Sequence, residues 1–161
     1  YGETIKLLGA VKLAVSPTGD STPFYADNRT FFTTSSSSGF EGELEIAMLT
    51  EEFETEILGM KIDENGAIYE DDTQKTQRFA MAYQFEGDQK ATRHILYVCQ
   101  ASRPEEEANT TTDTTEPDVT VLTFSATKNL AGVSKARLAS DKTGYDAFFD
   151  APYELSPTPE I

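Results

Sequence analysis

The segment from Gly39 to Gly59 constrains this chain more than any other. It runs Gly-Phe-Glu-Gly-Glu-Leu-Glu-Ile-Ala-Met-Leu-Thr-Glu-Glu-Phe-Glu-Thr-Glu-Ile-Leu-Gly. Gly42, Leu44, Ile46 and Met48 alternate with Glu41, Glu43, Glu45 and Ala47, the period of two that marks a half-buried strand. Thr50 then suits a helix N-cap, because its hydroxyl can accept from a free N–H of the first turn. Glu51 and Glu52 stand where the helix dipole favours negative charge. Leu49, Phe53, Ile57 and Met60 fall near one helical stripe, and Gly59 can take the left-handed conformation that ends a helix. Such a short helix is marginal alone and requires a sheet to pack on, with Leu49, Phe53 and Ile57 as the packing residues.

The rest of the chain supplies that sheet. At 161 residues it suits one domain with a real core, residues 1–161. The hydrophobic share is 38%, but seven Tyr and ten Phe add large buriable areas. Residues 4–15 alternate well enough for one strand, or two parted at Gly9. Ser16-Pro17-Thr18-Gly19-Asp20 is a turn cluster. Phe24 to Thr34 gives another strand, with Asp27-Asn28 as a turn or bulge, and Ser35 to Gly39 is a small-residue loop. Ile62 to Tyr69 signals a hairpin in which Asn65-Gly66 suits a type I′ turn. Arg78 to Glu86 places Phe79, Met81, Tyr83 and Phe85 on one face. Thr92 to Ala101 is apolar on both faces and so central in its sheet. Pro104 to Asp118 is a polar, flexible loop. Val119 to Thr127 and Val133 to Ala139 are further strands, and Asp141 to Asp150 forms a short helix or turn. Eight or nine short strands and one helix predict a mainly β fold. The expected architecture is a β-sandwich or partly closed barrel with one flanking α-helix.

Charge and residue counts exclude several functions. Thirteen Lys+Arg against 28 Asp+Glu give a net charge of −15, the wrong sign for neutralising phosphates. No apolar run reaches the ~18–20 residues of a membrane span, and no secretory signal opens the chain. The first residue is Tyr1 rather than Met, which predicts that an N-terminal piece is missing or removed. The single cysteine, Cys99, excludes an internal disulfide, fits a reducing compartment and reads as an inert core thiol. The single histidine, His94, offers no His-based metal cluster and reads as structural. No Walker loop, dinucleotide fingerprint or cysteine pair is present. Asp63-Glu64-Asn65-Gly66 lacks EF-hand spacing and is better explained by the hairpin. No cofactor or metal is expected.

Glu41, Glu43 and Glu45 recur about 7 Å apart on one strand face. Three readings stand side by side: a solvated face, a glycosidase-type carboxylate pair, or an acidic wall that a polyanion passes without sticking. The absence of Trp counts against sugar stacking and a carbohydrate hydrolase. A monomeric β-sandwich binding module for carbohydrate or a host surface is the alternative class.

Gly39 to Glu56 resembles the signature segment of phage major tail proteins, the tail tube subunits of long-tailed, siphovirus-type bacteriophages. Leu8-Gly9-Ala10-Val11, Phe24-Tyr25-Ala26-Asp27, Phe85-Glu86-Gly87-Asp88 and Lys90 to Tyr97 running into Arg103-Pro104 extend the likeness over most of the chain. Family members usually carry additional residues before the Leu-Gly-Ala-Val region. The resemblance implies a non-enzymatic structural subunit of the virion tail, assembled in the host cytoplasm. Its copies would form stacked hexameric rings that conduct DNA during ejection, without specific DNA binding and without a membrane. Its implied partners are other copies of itself, the tape measure protein and the tail terminator and initiator proteins. On this reading Glu41, Glu43 and Glu45 face the lumen. Ser35, Ser36, Ser37, Ser38, Glu105, Glu106, Glu107 and Thr111 lie in candidate inter-ring loops.

Overall fold

The computed structural model describes residues 1–19, 21–26, 29–35, 39–104 and 119–156, with 21–26 and 29–35 described as backbone. The strands are β1 (Ala10–Thr18), β2 (Ser21–Ala26), β3 (Arg29–Ser35), β4 (Gly39–Ile46), β5 (Lys61–Ile62), β6 (Ile68–Tyr69), β7 (Arg78–Gln84), β8 (Arg93–Ala101), β9 (Thr120–Thr127) and β10 (Lys135–Leu138). Helix α1 (Glu51–Glu56) follows β4, and a 3-10 turn (Asp146–Phe149) follows β10. β1, β4, β9, β8, β10 and β7 make one six-stranded antiparallel sheet. It curls into a half-barrel beside the short helix, the expected mainly β class. β2–β3 and β5–β6 pair as separate two-stranded hairpins.

The apolar sequence of β8 accounts for its central place. Leu96, Cys99 and Ala101 join the core on the inner face, with Leu44, Ile46, Leu122, Phe124 and Ala126. Ile95 and Tyr97 enter a second cluster on the outer face. Leu96 and Cys99 reach the same face because register slips between Phe79↔Cys99 and Met81↔Leu96, leaving Tyr97-Val98 as a bulge. β7 runs along one edge of β8. On the other edge β9 pairs at Val98–Ala101 and β10 at Arg93–Leu96. Residues 128–134 leave this edge and return to it. At the join the Tyr97 N–H donates to the Ser134 carbonyl at 3.1 Å. The Tyr97 carbonyl accepts from the Tyr1 hydroxyl at 2.8 Å.

α1 forms where its caps predict. Thr50 Oγ1 accepts from the Phe53 N–H at 3.3 Å. Gly59 turns the chain at φ +76°, where an added Cβ would lie 2.4 Å from the Lys75 carbonyl oxygen. Phe53 meets the edge of Phe79 with ring centroids 5.7 Å apart. The expected stripe needs two corrections. Leu58 is fully buried, whereas Ile57 only packs at the rim of the core. The helix has already ended at Glu56, so helical spacing no longer selects the inward residue. Met48 is 74% exposed, because β4 stops at Ile46 and the alternation stops with it.

Three local expectations are also revised. β1 starts at Ala10 rather than residue 4 and absorbs Ser16-Pro17-Thr18, read from sequence as a turn. Pro17 is tolerated because β1 is an outer strand and a proline needs only an edge with no ladder donor. The 62–69 hairpin is not a type I′ turn: of its residues only Gly66 has positive φ (+86°). The Gly66 N–H bonds the Asp63 carbonyl and Asp63 N–H bonds Ala67, each at 3.0 Å, the pattern of a three-residue loop with a glycine bulge.

Replacing Leu58 by alanine is expected to cost about 2–5 kcal/mol in urea unfolding, and Ile57→Ala clearly less. Equal losses would mean that the helix is held by the predicted stripe instead.

Candidate functional site

The sheet divides its outer face into two parts. Over β8 and β10 it is covered by Phe148, Phe149 and Tyr153, with Ile95, Tyr97, Ala136 and Leu138 beneath. Over β1, β4 and β9 it is open and polar. Alternation in β4 buries Leu44 and Ile46 and turns Glu41, Glu43 and Glu45 outward. Their cross-strand neighbours are Ser16 and Ser125, Ala14 and Thr123, and Lys12 and Val121, respectively. Small side chains on either side leave a shallow open depression of about 450 Å³ along Glu41, Gly42 and Glu43. Gly42 forms its floor. A Cβ there would lie 2.3 Å from the Phe124 ring, so the core aromatic comes up directly beneath the glycine. Among the described residues the one ion pair on this face is Lys12 Nζ to Glu45 Oε1, at 3.1 Å. Both partners reach solvent, so it contributes about 1 kcal/mol or less.

Of the other residues named from the sequence, Leu49 and Phe53 are buried, Phe53 on α1 itself. Ser35 ends β3. Ser36, Ser37, Ser38, Glu105, Glu106, Glu107 and Thr111 lie outside the described residues. Cys99 is fully buried, and burial pushes its thiol up to about 12, the state of an unreactive core sulfur. The Asp63 carboxylate accepts from the Asn65 and Ala67 N–H groups at 2.8 Å. It is lowered from its ordinary value, first by the Ala67 bond, and serves its own turn.

The rim at the start of β8 holds a feature that sequence inspection missed. His94 stacks on Tyr83 with centroids 5.2 Å apart and meets the edge of Phe85. Lys135 lies 5.6 Å above the Phe40 ring and 5.9 Å above Tyr83. Arg137 pairs directly across from His94. Arg93 sits 3.9 Å over the Tyr145 ring and donates to the Tyr145 carbonyl, tying the C-terminal turn to β8. Tyr145 in turn donates to the Ala91 carbonyl at 2.6 Å. These cations come from separate stretches of chain, so no basic run announces them. The only available signal was the pairing of β10 with the start of β8.

His94 is held below its ordinary pKa of 6.5, by burial first and then by Lys135 and Arg137, against a smaller opposing pull from Asp88. The unfolded chain therefore binds a proton near pH 6.5 that the folded chain refuses. Stability is full above 6.5, falls as pH drops through the interval down to the lowered value, and then levels off. His94→Phe is expected to flatten this decline in thermal melts between pH 7 and 5. An unchanged slope would assign it to other groups.

Among the described residues the geometry is that of a curled antiparallel half-barrel with an acidic, shallowly hollowed outer face and outer strand edges on β1 and β7. The family model "Phage tail tube protein" matches residues 14–154, and the chain belongs to that family of structural phage tail components. No curated protein and no solved structure gives a match.

Proposed function

We propose that this chain is the repeating subunit of a phage tail tube, closing into hexameric rings that stack into the conduit for DNA ejection. Family membership supports the self-assembling tube; the acidic outer face supports the conduit. Glu41, Glu43 and Glu45 line the lumen in this reading. They present carboxylates in a row with small neighbours and one cation, Lys12, beside them. Multiplied around a ring, such a wall repels phosphates within about 8 Å at physiological salt and gives DNA nothing to bind. Ring closure uses unpaired edges, the outer edges of β1 and β7 and the β2–β3 hairpin, because free N–H and C=O groups recruit a further strand. The loops around Ser35–Ser38 and Glu105–Thr111 contact the next ring. The tape measure protein fills the lumen until ejection. Terminator and initiator proteins cap the ends, and assembly takes place in the host cytoplasm. Residues 1–161 act as one domain.

The test is a phage carrying Glu41→Lys, Glu43→Lys and Glu45→Lys together. Tubes of normal diameter are expected by negative-stain electron microscopy, because the face lies away from the ring contacts. DNA ejection is expected to slow, most strongly at low salt, where lysine–phosphate attraction is least screened. Wild-type ejection kinetics at every salt concentration would remove these residues from the lumen.

A further inference from the structure

β8 spans roughly 26 Å at about 3.3 Å per residue, and its two ends are oppositely charged. At its start, residues 87–94 and 133–142 bring together Lys90, Arg93, Lys135, Arg137 and Lys142 against two carboxylates, Asp88 and Asp141. Glu86 and Asp146 border the group. Lys90, Thr92, Arg137, Leu138, Ala139 and Lys142 line an open cleft of about 350 Å³ there. Lys142 pairs with Asp141 at 3.1 Å. Among the described residues, neither Lys90 nor Arg137 has a carboxylate at ion-pair distance. Lys135 is already lowered from its ordinary value, by burial and then by Arg137, so the cations crowd one another.

The far end is the reverse. Residues 50–77 carry nine carboxylates and two cations, Lys61 and Lys75. Contacts fix this segment at the end of β8. Arg103 pairs with Glu70 at 2.6 Å, and Gln100 donates to Thr76 at 3.2 Å. Lys61 is taken up by Asp71, whose carboxyl it holds at about 2 together with Thr73. The exposed side of α1 presents Glu51, Glu52 and Glu56, and the last turn of the helix has no basic residue.

We propose that the cationic cleft at the start of β8 receives the acidic α1 end of a second copy of this chain, head to tail. The inference rests on the tube reading and names its axial contact. Charge complementarity chooses the occupant: the cleft carries unpaired cations, and the matching carboxylates lie at the other end of the same molecule. A heterologous contact between opposite ends of the molecule leaves one free end of each kind and, where its rotation does not close a ring, propagates into a filament. Opposed charges also fix polarity, because like ends repel.

The test uses two variants, Lys90→Glu/Arg137→Glu and Glu52→Lys/Glu56→Lys. Each is checked for folding by circular dichroism and thermal melting, then for assembly by sedimentation velocity and electron microscopy. Each variant alone is expected to need at least about tenfold higher concentration to assemble, since like charges then meet. Mixed one to one, they are expected to assemble again, because every contact in the alternating stack is opposite in charge. Wild-type-like assembly by either folded variant alone overturns the proposal and leaves the tube reading intact. So does a mixture that stays as dispersed as its parts. Wild-type protein that forms no tube or filament at any salt concentration, including with a tail initiator, overturns the tube reading and this inference with it.

Discussion

β8 is paired along both edges and buried on both faces, and the placement of β7, β9 and β10 follows from how its backbone is satisfied. A buried N–H or C=O left unpaired costs as much as a lost hydrogen bond. The edge shared by β9 and β10 has a gap at Tyr97, and two separate segments fill it. Ser134 supplies the acceptor and Tyr1 the donor. The excursion 128–134 therefore interrupts one long strand without breaking the ladder. The bulge at Tyr97-Val98 swaps faces within the strand, so one β8 feeds two cores. The inner core holds α1. The outer one holds the C-terminal turn. Because that turn covers only the β8–β10 half of the outer face, the β1–β4–β9 half stays open for carboxylates.

Patterns set by the chain's own local periodicity were legible in the sequence. The alternation of Gly39 to Ile46, the two-sided apolar run of β8, the Thr50 cap and the Gly59 stop all follow from strand or helix geometry acting on adjacent residues. The misreadings occur where tertiary contact overrides a local signal. Pro17 looks like a turn residue, yet it lies in an outer strand opposite Phe40. Leu58 is off the helical stripe and is still drawn into the core, because the helix ends before it and the Gly59 turn redirects the chain. Asn65-Gly66 has the dipeptide of one turn type, but the Asp63 side chain bonds two backbone N–H groups and selects another. Of the candidate site, the outward row of glutamates could be read from spacing alone. The cationic rim could not, since it exists only once Lys135–Leu138 is laid against Arg93–Leu96.

The distribution of charge resolves a conflict that net charge alone poses. A subunit at −15 repels another copy as it repels DNA, and long-range repulsion between identical bodies opposes assembly. The chain does not spread its charge evenly. Carboxylates stand on a sheet face and at the α1 end, while five of its cations gather at the start of β8. A sheet face and the ends of its strands point in perpendicular directions. In the proposed tube, the open face would therefore repel a passing polyanion while the two strand ends attract each other. Screening favours the same division. Diffuse repulsion between exposed charges fades beyond about 8 Å at physiological salt, whereas partly desolvated pairs formed in a contact are screened much less. Salt in the cell thus weakens the general repulsion between subunits more than the specific axial attraction. In the same proposal, the glutamate face would act only on what passes directly over it and keep its effect at that range.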